Sequence, residues 1–311
     1  MLPIDLVALG EPMYEFSQIP NQPRHYFQGF GGDTMNCAIA AARQGARVAY
    51  VTRLGDDEFG REFLSLWRNE NIDTSAIKID RDAHTAVYFI SHNSDGHVFN
   101  YLRKGSAASR ITPDDLPIDM LQSTRIFHTS GITQAISESA RASVFAAIEI
   151  CRSANVVISF DANIRPRLWS AEIAQQVVSK TIPLSDIFLL SLEDVELLDA
   201  PKNYADILRW CHDLGASRVV LKLGADGIIA SEGQQVHRLA GLRVNSVDAT
   251  GAGDCCAGAL LARLAKGDNF PSALRYANAA AALTTTGFGA VAPLPLRAAV
   301  AEFLTQTNEA K

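Results

Sequence analysis

The chain contains the stretch Asp248-Ala249-Thr250-Gly251-Ala252-Gly253-Asp254, which indicates its fold more strongly than any other segment. The alternating residues 242–247 before it predict a strand, and residues 255–266 after it predict a helix that ends at Gly267. A Gly-Ala-Gly turn at a helix start leaves backbone N–H groups unpaired and open to a bound anion. The sequence therefore predicts an anion site at this turn, with the Asp254 carboxylate beside it.

Two interpretations of this turn are open at this point. Amides that bind an anion, next to a carboxylate that accepts a proton, are what phosphoryl transfer to a hydroxyl requires. A lone Gly-x-Gly is more often an ordinary turn followed by an acidic residue in the first helical turn. The rest of the sequence has to decide between them.

Composition places the chain among ordinary globular proteins. Of its 311 residues, 48% are hydrophobic and 20% are charged, and the formal net charge is −6. An acidic protein without a run of Lys and Arg is not expected to bind nucleic acid or an acidic membrane. An anionic ligand would therefore be bound by a few individually placed arginines.

The cysteines and the first residues of the chain predict a cytoplasmic location. An odd number of thiols without a Cys-x-x-Cys pair is typical of a reduced protein. The start lacks a basic segment followed by an apolar core, so export is not expected. The apolar-rich run 276–283 is too short to span a membrane. The five thiols are Cys37, Cys151, Cys211, Cys255 and Cys256.

Short apolar runs alternate with amphipathic helical segments along most of the chain. Alternation of this kind predicts an α/β fold whose mainly parallel central sheet has helices on both faces. We expect a single domain over residues 1–311, without a linker or repeat. The predicted strands are 5–9, 47–52, 125–129, 156–160, 187–190 and 218–223, and the predicted helices are 36–44, 138–154, 171–181 and 204–214.

Two regions depart from this alternation and predict a small antiparallel β lid. Residues 84–90 and 97–103 are strand-like runs joined by a polar loop with Asp95-Gly96, a pattern typical of a hairpin. Residues 14–30 are also non-helical. We expect a lid formed by segments of about 12–30 and 84–105 that covers a site and excludes water.

A second glycine-rich turn, Gly29-Phe30-Gly31-Gly32-Asp33-Thr34-Met35-Asn36, precedes the first predicted helix. One interpretation is an ordinary helix N-cap made by Asp33 or Thr34. The other is a sugar site, in which the glycines let the sugar approach and Asp33 and Asn36 bind its hydroxyls.

Arginines in two places are candidates for binding an anionic substrate. Phe99, Tyr101 and Arg103 share one face of a lid strand, and Tyr88 joins them if the strand register agrees. This face is either packing for the lid or a substrate wall. Arg165 follows a buried strand, where ligands of parallel sheets bind, although it would also suit an ion pair with Asp161.

Two further segments have both a structural and a nucleotide-binding interpretation. Residues 222–227, with Lys222, Gly224 and Gly227, are either a hairpin turn or a rim where a nucleotide approaches the backbone. Residues 191–196 are either an acidic helix start or a place for Mg²⁺ near phosphates. The chain has no zinc spacing, Gly-x-Ser-x-Gly elbow, P-loop or dinucleotide fingerprint.

Taken together, the glycine motifs resemble those of the ribokinase (PfkB-type) family of carbohydrate kinases. The resemblance runs nearly end to end, and the last motif has Ala249 where the family usually has Thr or Pro. It implies a ribokinase-like fold, with Asp254 as the base and the amides of Gly251, Ala252 and Gly253 around the phosphoryl oxygens. The matching segments are Gly31 to Asn36, Arg53 to Gly60, the lid, Gly224 to Gly227, and Asp248 to Asp254.

The resemblance also implies ATP and Mg²⁺ as cofactors, and some family members need a monovalent cation. Asp194 stands at the acid of the family's Asn-x-x-Glu motif, which here begins with Ser191, and is the predicted metal contact. The implied nucleotide-binding residues are Ser191, Lys222, Gly224, Gly227 and Asn278.

Within the family, the lid strand and the arginine loop are similar to those of members that phosphorylate 2-keto-3-deoxygluconate. This similarity implies ATP-dependent phosphorylation of the 6-hydroxyl of that sugar acid. Glu15 stands where neutral-sugar kinases often have Asp, but a fructokinase or ribokinase activity, or a kinase for a related keto-deoxy acid, stays open, as does a non-catalytic sugar-acid sensor. We also expect a homo-oligomer through the lid. The implied sugar-binding residues are Gly32, Asp33, Asn36, Tyr88, Tyr101, Arg103 and Arg165.

Overall fold

A sheet of eight strands forms the centre of the computed structural model, which describes residues 4–19, 22, 24–93 and 96–309. All neighbours from β12 to β4 run parallel, and β13 and β14 add an antiparallel hairpin at one edge. The mainly parallel sheet is therefore confirmed. In spatial order the strands are β14 (Gln235–Ala240), β13 (Gly227–Glu232), β12 (Arg218–Lys222), β11 (Ile187–Ser191), β10 (Val157–Asp161), β9 (Ile126–Ser130), β1 (Leu6–Leu9) and β4 (Val48–Val51).

Helices cover both faces of this sheet because its strands are apolar on both sides. The helices are α1 (Asp33–Arg43), α2 (Glu58–Asn69), α3 (Ile118–Ser123), α4 (Gly131–Ala135), α5 (Glu138–Ser153), α6 (Ala171–Thr181), α7 (Leu192–Leu197), α8 (Tyr204–Asp213), α9 (Ala252–Ala265), α10 (Phe270–Thr284) and α11 (Arg297–Glu309). In β1, Leu6 and Ala8 join an apolar cluster with residues of α1, α9 and α10, whereas Val7 and Leu9 join one with α5.

A four-stranded sheet forms the lid. It contains β3 (Tyr26–Gly31), β2 (Met13–Gln18), β7 (Ala86–Asn93) and β8 (Gly96–Leu102), in that order. The pairs β2–β3 and β7–β8 are antiparallel, as expected, while β2 and β7 run parallel and join the two hairpins. Asp95, in the predicted hairpin loop, lies outside the described residues. A third, two-stranded sheet pairs β5 (Arg53–Gly55) with β6 (Lys78–Asp80).

Two predictions for the residues on either side of the Gly251-Ala252-Gly253 turn were wrong. Residues 242–247 form no strand, because the chain leaves the sheet after β14 and runs along a cavity, with 48% of Val247 exposed. Helix α9 begins at Ala252, earlier than predicted, so Gly253 and Asp254 belong to its first turn. In the part of the chain that is described, no helix is long and apolar enough to cross a membrane.

An aromatic cluster on α2 provides a test of core packing. Phe63 is fully buried, with its ring centroid 5.3 Å from that of Trp67 and 5.2 Å from that of Phe30. We expect Phe63→Ala to lower the free energy of unfolding by about 3–5 kcal/mol, because it leaves a cavity. The matched control is Phe288→Ala, since Phe288 is 76% exposed, and its expected effect is below about 0.5 kcal/mol. Urea titration would measure both, and equal effects would contradict this account of the core.

Candidate active site

The start of helix α9 presents backbone amides to an open cavity. Gly251 precedes the helix in a left-handed conformation, with φ of 76°, and a Cβ there would lie 2.8 Å from the Ala290 oxygen. Only glycine fits both the conformation and this contact. The first amides of any helix lack partners within it. Here the Ala252 amide donates a hydrogen bond of 3.2 Å to the Ala249 oxygen outside the helix, and Ala252 and Gly253 line the cavity. The start of α9 therefore borders a space that a ligand can enter, and the predicted amide cluster stays a prediction.

Asp254 lies in the first turn of α9 and has an unusually weak acid group. Its Oδ2 atom accepts a hydrogen bond of 2.8 Å from Nδ2 of Asn36. Burial, followed by repulsion from Asp33, raises the pKa of Asp254 to about 7, against the opposing effects of Asn36 and Lys222. A carboxyl group with this pKa is suited to accept a proton near neutral pH.

The start of α1 places two polar side chains next to Asp254. Asp33 accepts a hydrogen bond of 2.9 Å from Nδ2 of Asn163 through its Oδ2 atom. The Oδ1 atoms of Asp33 and Asn36 are buried and have no hydrogen-bond partner among the described residues. Two open acceptors beside a carboxylate are suited to bind hydroxyl groups. The structure thus brings together Asp33, Asn36 and Asp254, which the sequence singled out from two distant motifs.

A cavity of about 750 Å³ extends from the start of α9. Of the five predicted nucleotide-binding residues, Lys222, Gly224, Gly227 and Asn278 line it, and Ser191 is not among the lining residues. The Asn278 amide already donates a hydrogen bond of 2.9 Å to the Ala240 oxygen, so it connects α10 to the end of β14. The hairpin turn expected at 222–227 is also present, between β12 and β13.

Lys222 forms a buried ion pair at the end of β12. Its Nζ atom lies 2.6 Å from Oδ2 of Asp161, at the end of β10, and the two side chains are 15% and 4% exposed. Burial raises the pKa of Asp161, and the charge of Lys222 opposes that rise. Because Asp161 pairs with Lys222, the alternative in which Asp161 pairs with Arg165 is wrong.

Aromatic side chains of the lid form a wall beside the second glycine-rich turn. Tyr88 pairs with Tyr101 across β7 and β8, with ring centroids 5.9 Å apart, so the strand register agrees with the prediction. The Tyr88 hydroxyl donates a hydrogen bond to Glu15 and occupies the space that a Cβ of Gly31 would fill. Burial raises the pKa of Glu15. Glu15 therefore holds the Tyr88 ring in this structure.

Arg103 is also held by a residue that the sequence analysis missed. Its guanidinium forms an ion pair with Glu11, whose side chain is fully buried, and Ser106 donates a hydrogen bond of 2.7 Å to the same carboxylate. The guanidinium carbon lies 5.7 Å from the centre of the Tyr101 ring. The Arg103 Nε atom is buried and has no hydrogen-bond partner within the described ranges. Arg103 thus keeps a free donor although Glu11 balances its charge.

Arg165 lies in the loop after β10 and is exposed. It donates a hydrogen bond of 3.1 Å to the neighbouring Ile164 oxygen. In the same loop, Arg167 donates one of 3.0 Å to the Phe99 oxygen in lid strand β8. This contact holds the arginine loop against β8, which carries Tyr101 and ends at Leu102, one residue short of the predicted end at Arg103.

The acidic segment after β11 is the start of helix α7, and its carboxylates accept hydrogen bonds from the protein. Asp194 accepts hydrogen bonds from the Ile164 amide at 2.7 Å and from the Ser191 amide and hydroxyl at 2.8 and 2.9 Å. The pKa of Glu193 is lowered chiefly by its backbone hydrogen bond, then by Ser191, with a smaller effect of Arg165. No group of three or more His, Cys, Asp or Glu residues in the described chain could hold a metal ion. The metal contact at Asp194 stays a prediction.

Asp248, whose role the sequence did not indicate, holds the glycine turn in place. Its Oδ1 atom accepts hydrogen bonds from the Thr250 amide at 2.9 Å and hydroxyl at 2.6 Å, and its Oδ2 atom accepts one of 2.9 Å from the Gly289 amide. Glu11 could have been found from its position, because it follows β1 closely, as Asn163 follows β10. Polar residues at the carboxyl ends of parallel strands are candidates for a site.

The parallel sheet, the β lid and the helix start at one edge are the arrangement of a ribokinase-like sugar kinase. A structure of a putative ribokinase II from E. coli, in complex with ATP and Mg²⁺, superposes with a TM-score of 0.90 at 23% identity, covering 97% of this chain and 99% of that one. The chain belongs to the pfkB family of carbohydrate kinases, whose model matches residues 3–297.

Relatives in this family include kinases for different sugars. The chain is 34% identical over 289 residues to a 2-dehydro-3-deoxygluconokinase from Thermoproteus tenax, covering 90% of this chain and 88% of that protein. It is 31% identical over 316 residues to a probable fructokinase-2 from Arabidopsis thaliana, covering 96% and 95%. Overall similarity therefore leaves the sugar undecided between an acid and a neutral hexose.

The raised pKa of Asp254 can be measured without any assay of activity. We expect the carboxyl carbon resonance of Asp254, identified by its loss in Asp254→Asn, to titrate with a midpoint near pH 7. Asp33→Asn should lower this midpoint because it removes a neighbouring negative charge, and Asn36→Leu should raise it because it removes a hydrogen bond to the charged form. Carbon-13 NMR would record the titrations. A midpoint near the ordinary aspartate value of 3.8 would show that burial and Asp33 do not raise the pKa of Asp254.

Proposed function

We propose that this protein phosphorylates the 6-hydroxyl of 2-keto-3-deoxygluconate with ATP, through one kinase domain over residues 1–311. The observation that carries the choice of a sugar acid is the contact between Arg167 and Phe99. It holds the loop of Arg165 against the lid strand of Tyr101 and Arg103. Two arginines on facing segments suit a carboxylate, because guanidinium groups bind carboxylates with paired hydrogen bonds.

The reaction follows from the positions of the polar groups. In the proposed mechanism Asp254 takes the proton of the sugar hydroxyl as that oxygen bonds to the γ-phosphorus, while the bond to the β-phosphate oxygen breaks and ADP leaves. The amides of Gly251, Ala252 and Gly253 stabilise the charge on the phosphoryl oxygens. The Oδ1 atoms of Asp33 and Asn36, which have no partner in the described chain, orient the sugar hydroxyls. Gly32 and Tyr88 line the path by which the sugar enters.

The nucleotide end of the site has the cavity lined by Lys222, Gly224, Gly227 and Asn278. Its position beside the start of α9 supports ATP as the phosphate donor. Mg²⁺, when bound with the nucleotide, neutralises phosphate charge and needs only one or two carboxylates from the protein. Asp194 is the carboxylate that would hold the ion, with Ser191 hydrogen-bonded to it. A monovalent cation near the glycine turn stays a prediction.

The alternative function is that of a neutral-sugar kinase of the fructokinase or ribokinase type. Two observations favour it: the similarity to plant fructokinases, and the ion pair in which Glu11 balances the charge of Arg103. A sugar-acid sensor without catalysis is a weaker candidate, because a protein that only binds ligand has no need of a base with the pKa of Asp254.

A substrate panel separates these functions. ADP release would be measured with ATP, Mg²⁺ and each of 2-keto-3-deoxygluconate, its galactonate epimer, gluconate, fructose and ribose. We expect turnover of the keto-deoxy acids. Arg165→Ala should raise KM for the acid by about 10- to 100-fold, the worth of a hydrogen bond to a charged group. Arg103→Ala should change the preference for acid over neutral sugar less than Arg165→Ala does, because Glu11 already balances the charge of Arg103.

The panel has outcomes that count against the proposal. Preference for fructose or ribose would support the neutral-sugar kinase. Tight binding of the acid without ADP release would support the sensor. If Arg165→Ala changed only the KM for ATP, Arg165 would not bind the carboxylate of the sugar acid.

Removal of the proposed base gives an independent test. Asp254→Asn keeps the shape of the side chain, and we expect it to lower kcat by about two to four orders of magnitude. In the wild-type enzyme, kcat/KM should rise with pH until about 7 and then level off, because the ionised carboxylate is the active form. Circular dichroism would verify the fold of the variant, and retained turnover would exclude Asp254 as the base.

Assembly and location are part of the proposal. Leu102 is 59% exposed and Phe27 is 63% exposed, and both lie on edge strands of the lid sheet. Exposed edge strands with apolar side chains favour pairing with another chain. We therefore propose a homo-oligomer that forms through the lid, in the cytoplasm.

A further inference from the structure

The ion pair between Lys222 and Asp161 lies among negative charges. The charges of Asp194 and Asp254 act on Lys222 together with that of Asp161, and the charges of Asp33 and Asp194 act on Asp161. The pKa of Lys222 is above the ordinary lysine value, because the charges of Asp161, Asp194 and Asp254 outweigh the opposing effect of burial. Lys222 therefore stays protonated at any physiological pH.

The Lys222 ammonium lies close to Gly253, in the first turn of α9. A Cβ built on Gly253 would lie 3.5 Å from the Nζ atom, so the absence of a side chain at Gly253 leaves the ammonium next to the helix start. Lys222 and Gly253 line the same cavity. The Lys222 ammonium and the start of α9 thus border the same space.

We propose that Lys222 provides the positive charge that the transferred phosphoryl group meets at the start of α9, and that Asp161 is a positioning residue that holds the ammonium there. The inference rests on the proposed use of this cavity by ATP. Lysine has a long, flexible side chain, and a charge stabilises a transition state best when it is already in place. Asp161, at the end of β10, holds the Lys222 ammonium in place through the ion pair.

The energetics of the pair support a functional role. Burial of two charges costs about as much as their attraction returns, and an apolar pair of similar size is often equally stable. The Asp161 Oδ1 atom is moreover buried without a hydrogen-bond partner in the described part of the chain. The Lys222–Asp161 pair is thus expected to contribute little to stability. Its place beside the proposed phosphate-binding cavity is explained by the positive charge that it holds there.

Three variants test the inference: Lys222→Met, Asp161→Asn and the double variant. We expect Lys222→Met to lower kcat about 100-fold or more and to change KM for ATP by less than about threefold. Asp161→Asn, which is isosteric, should lower kcat about 10-fold, because the ammonium is no longer held. The double variant should match Lys222→Met within about twofold, because Asp161 acts through Lys222.

Stability measurements separate this role from a structural one. Each single variant leaves a buried charge unpaired and should lower Tm, whereas the double variant should recover part of that loss. Recovery of Tm without recovery of kcat is the expected pattern. Glu232→Gln is the matched control, because Glu232 pairs with Arg218 at 2.5 Å at the opposite end of β12. It should leave kcat unchanged.

The pH profile gives a readout that loss of packing would not produce. The charge of Lys222 lowers the pKa of Asp254, and that of Asp161 raises it. The acidic limb of kcat/KM should therefore move to higher pH in Lys222→Met and to lower pH in Asp161→Asn. The other charged or titratable groups that face Asp254 are Asp33, Cys37, Tyr88 and Cys255, and all of them are unchanged in these variants.

Three results would overturn the inference. These are unchanged kcat in Lys222→Met, an effect confined to KM for ATP, or additive losses in the double variant. The assay uses whichever sugar of the panel the wild-type enzyme phosphorylates. A wrong assignment of the sugar would therefore leave this test intact, and retained activity of Asp254→Asn would count against the proposed mechanism alone.

Discussion

Repulsion between carboxylates at one edge of the parallel sheet is the constraint on which the site depends. Asp33, Asp161 and Asp254 lie close enough for their charges to affect one another. Each is held by a specific partner: Asn163 for Asp33, Lys222 for Asp161 and Asn36 for Asp254. These partners come from segments that are distant in the chain. The order of the strands brings them together, since parallel strands end at the same edge.

The lid contributes charged and aromatic side chains to this end of the sheet, but it does not raise the net positive charge there. Glu11 balances Arg103, and Glu15 holds Tyr88. The aromatic wall and the glycine turn fit each other closely, because the Tyr88 hydroxyl fills the space beside Gly31. In the proposed function, discrimination between an acidic and a neutral sugar would therefore depend more on Arg165, which is exposed in the loop after β10, than on the total number of arginines.

Much of the fold followed from local sequence patterns. Apolar runs located the strands of the parallel sheet, helical periodicity located the helices on its faces, and alternation along the lid strand placed Tyr101 beside Tyr88. The glycine turn indicated that a helix starts nearby, because glycine tolerates the left-handed conformation at Gly251, although α9 begins three residues before its predicted start. These features depend on neighbouring residues, so a single sequence contains them.

The features that could not be predicted depend on distant partners. The bond between Asn278 and the Ala240 oxygen, and the pairs Glu11–Arg103 and Asp161–Lys222, join residues that meet only in the folded protein. Residues 242–247 alternate like a strand but have no neighbouring strand to pair with. Alternation alone cannot indicate whether an edge is available.

The order of the strands also has a consequence for how the protein is made. Strand β1 is synthesised first, yet it lies inside the sheet, where Leu6 pairs with Val48 on one side and Ile126 on the other. Helix α1 in turn packs with α9 in one apolar cluster. Domains dominated by such distant contacts fold slowly and late. The ribosome must therefore release the C-terminal third of the chain before the N-terminal strand and helix are fully covered, and a chain that is cut short before α9 leaves α1 without the helix that packs on it.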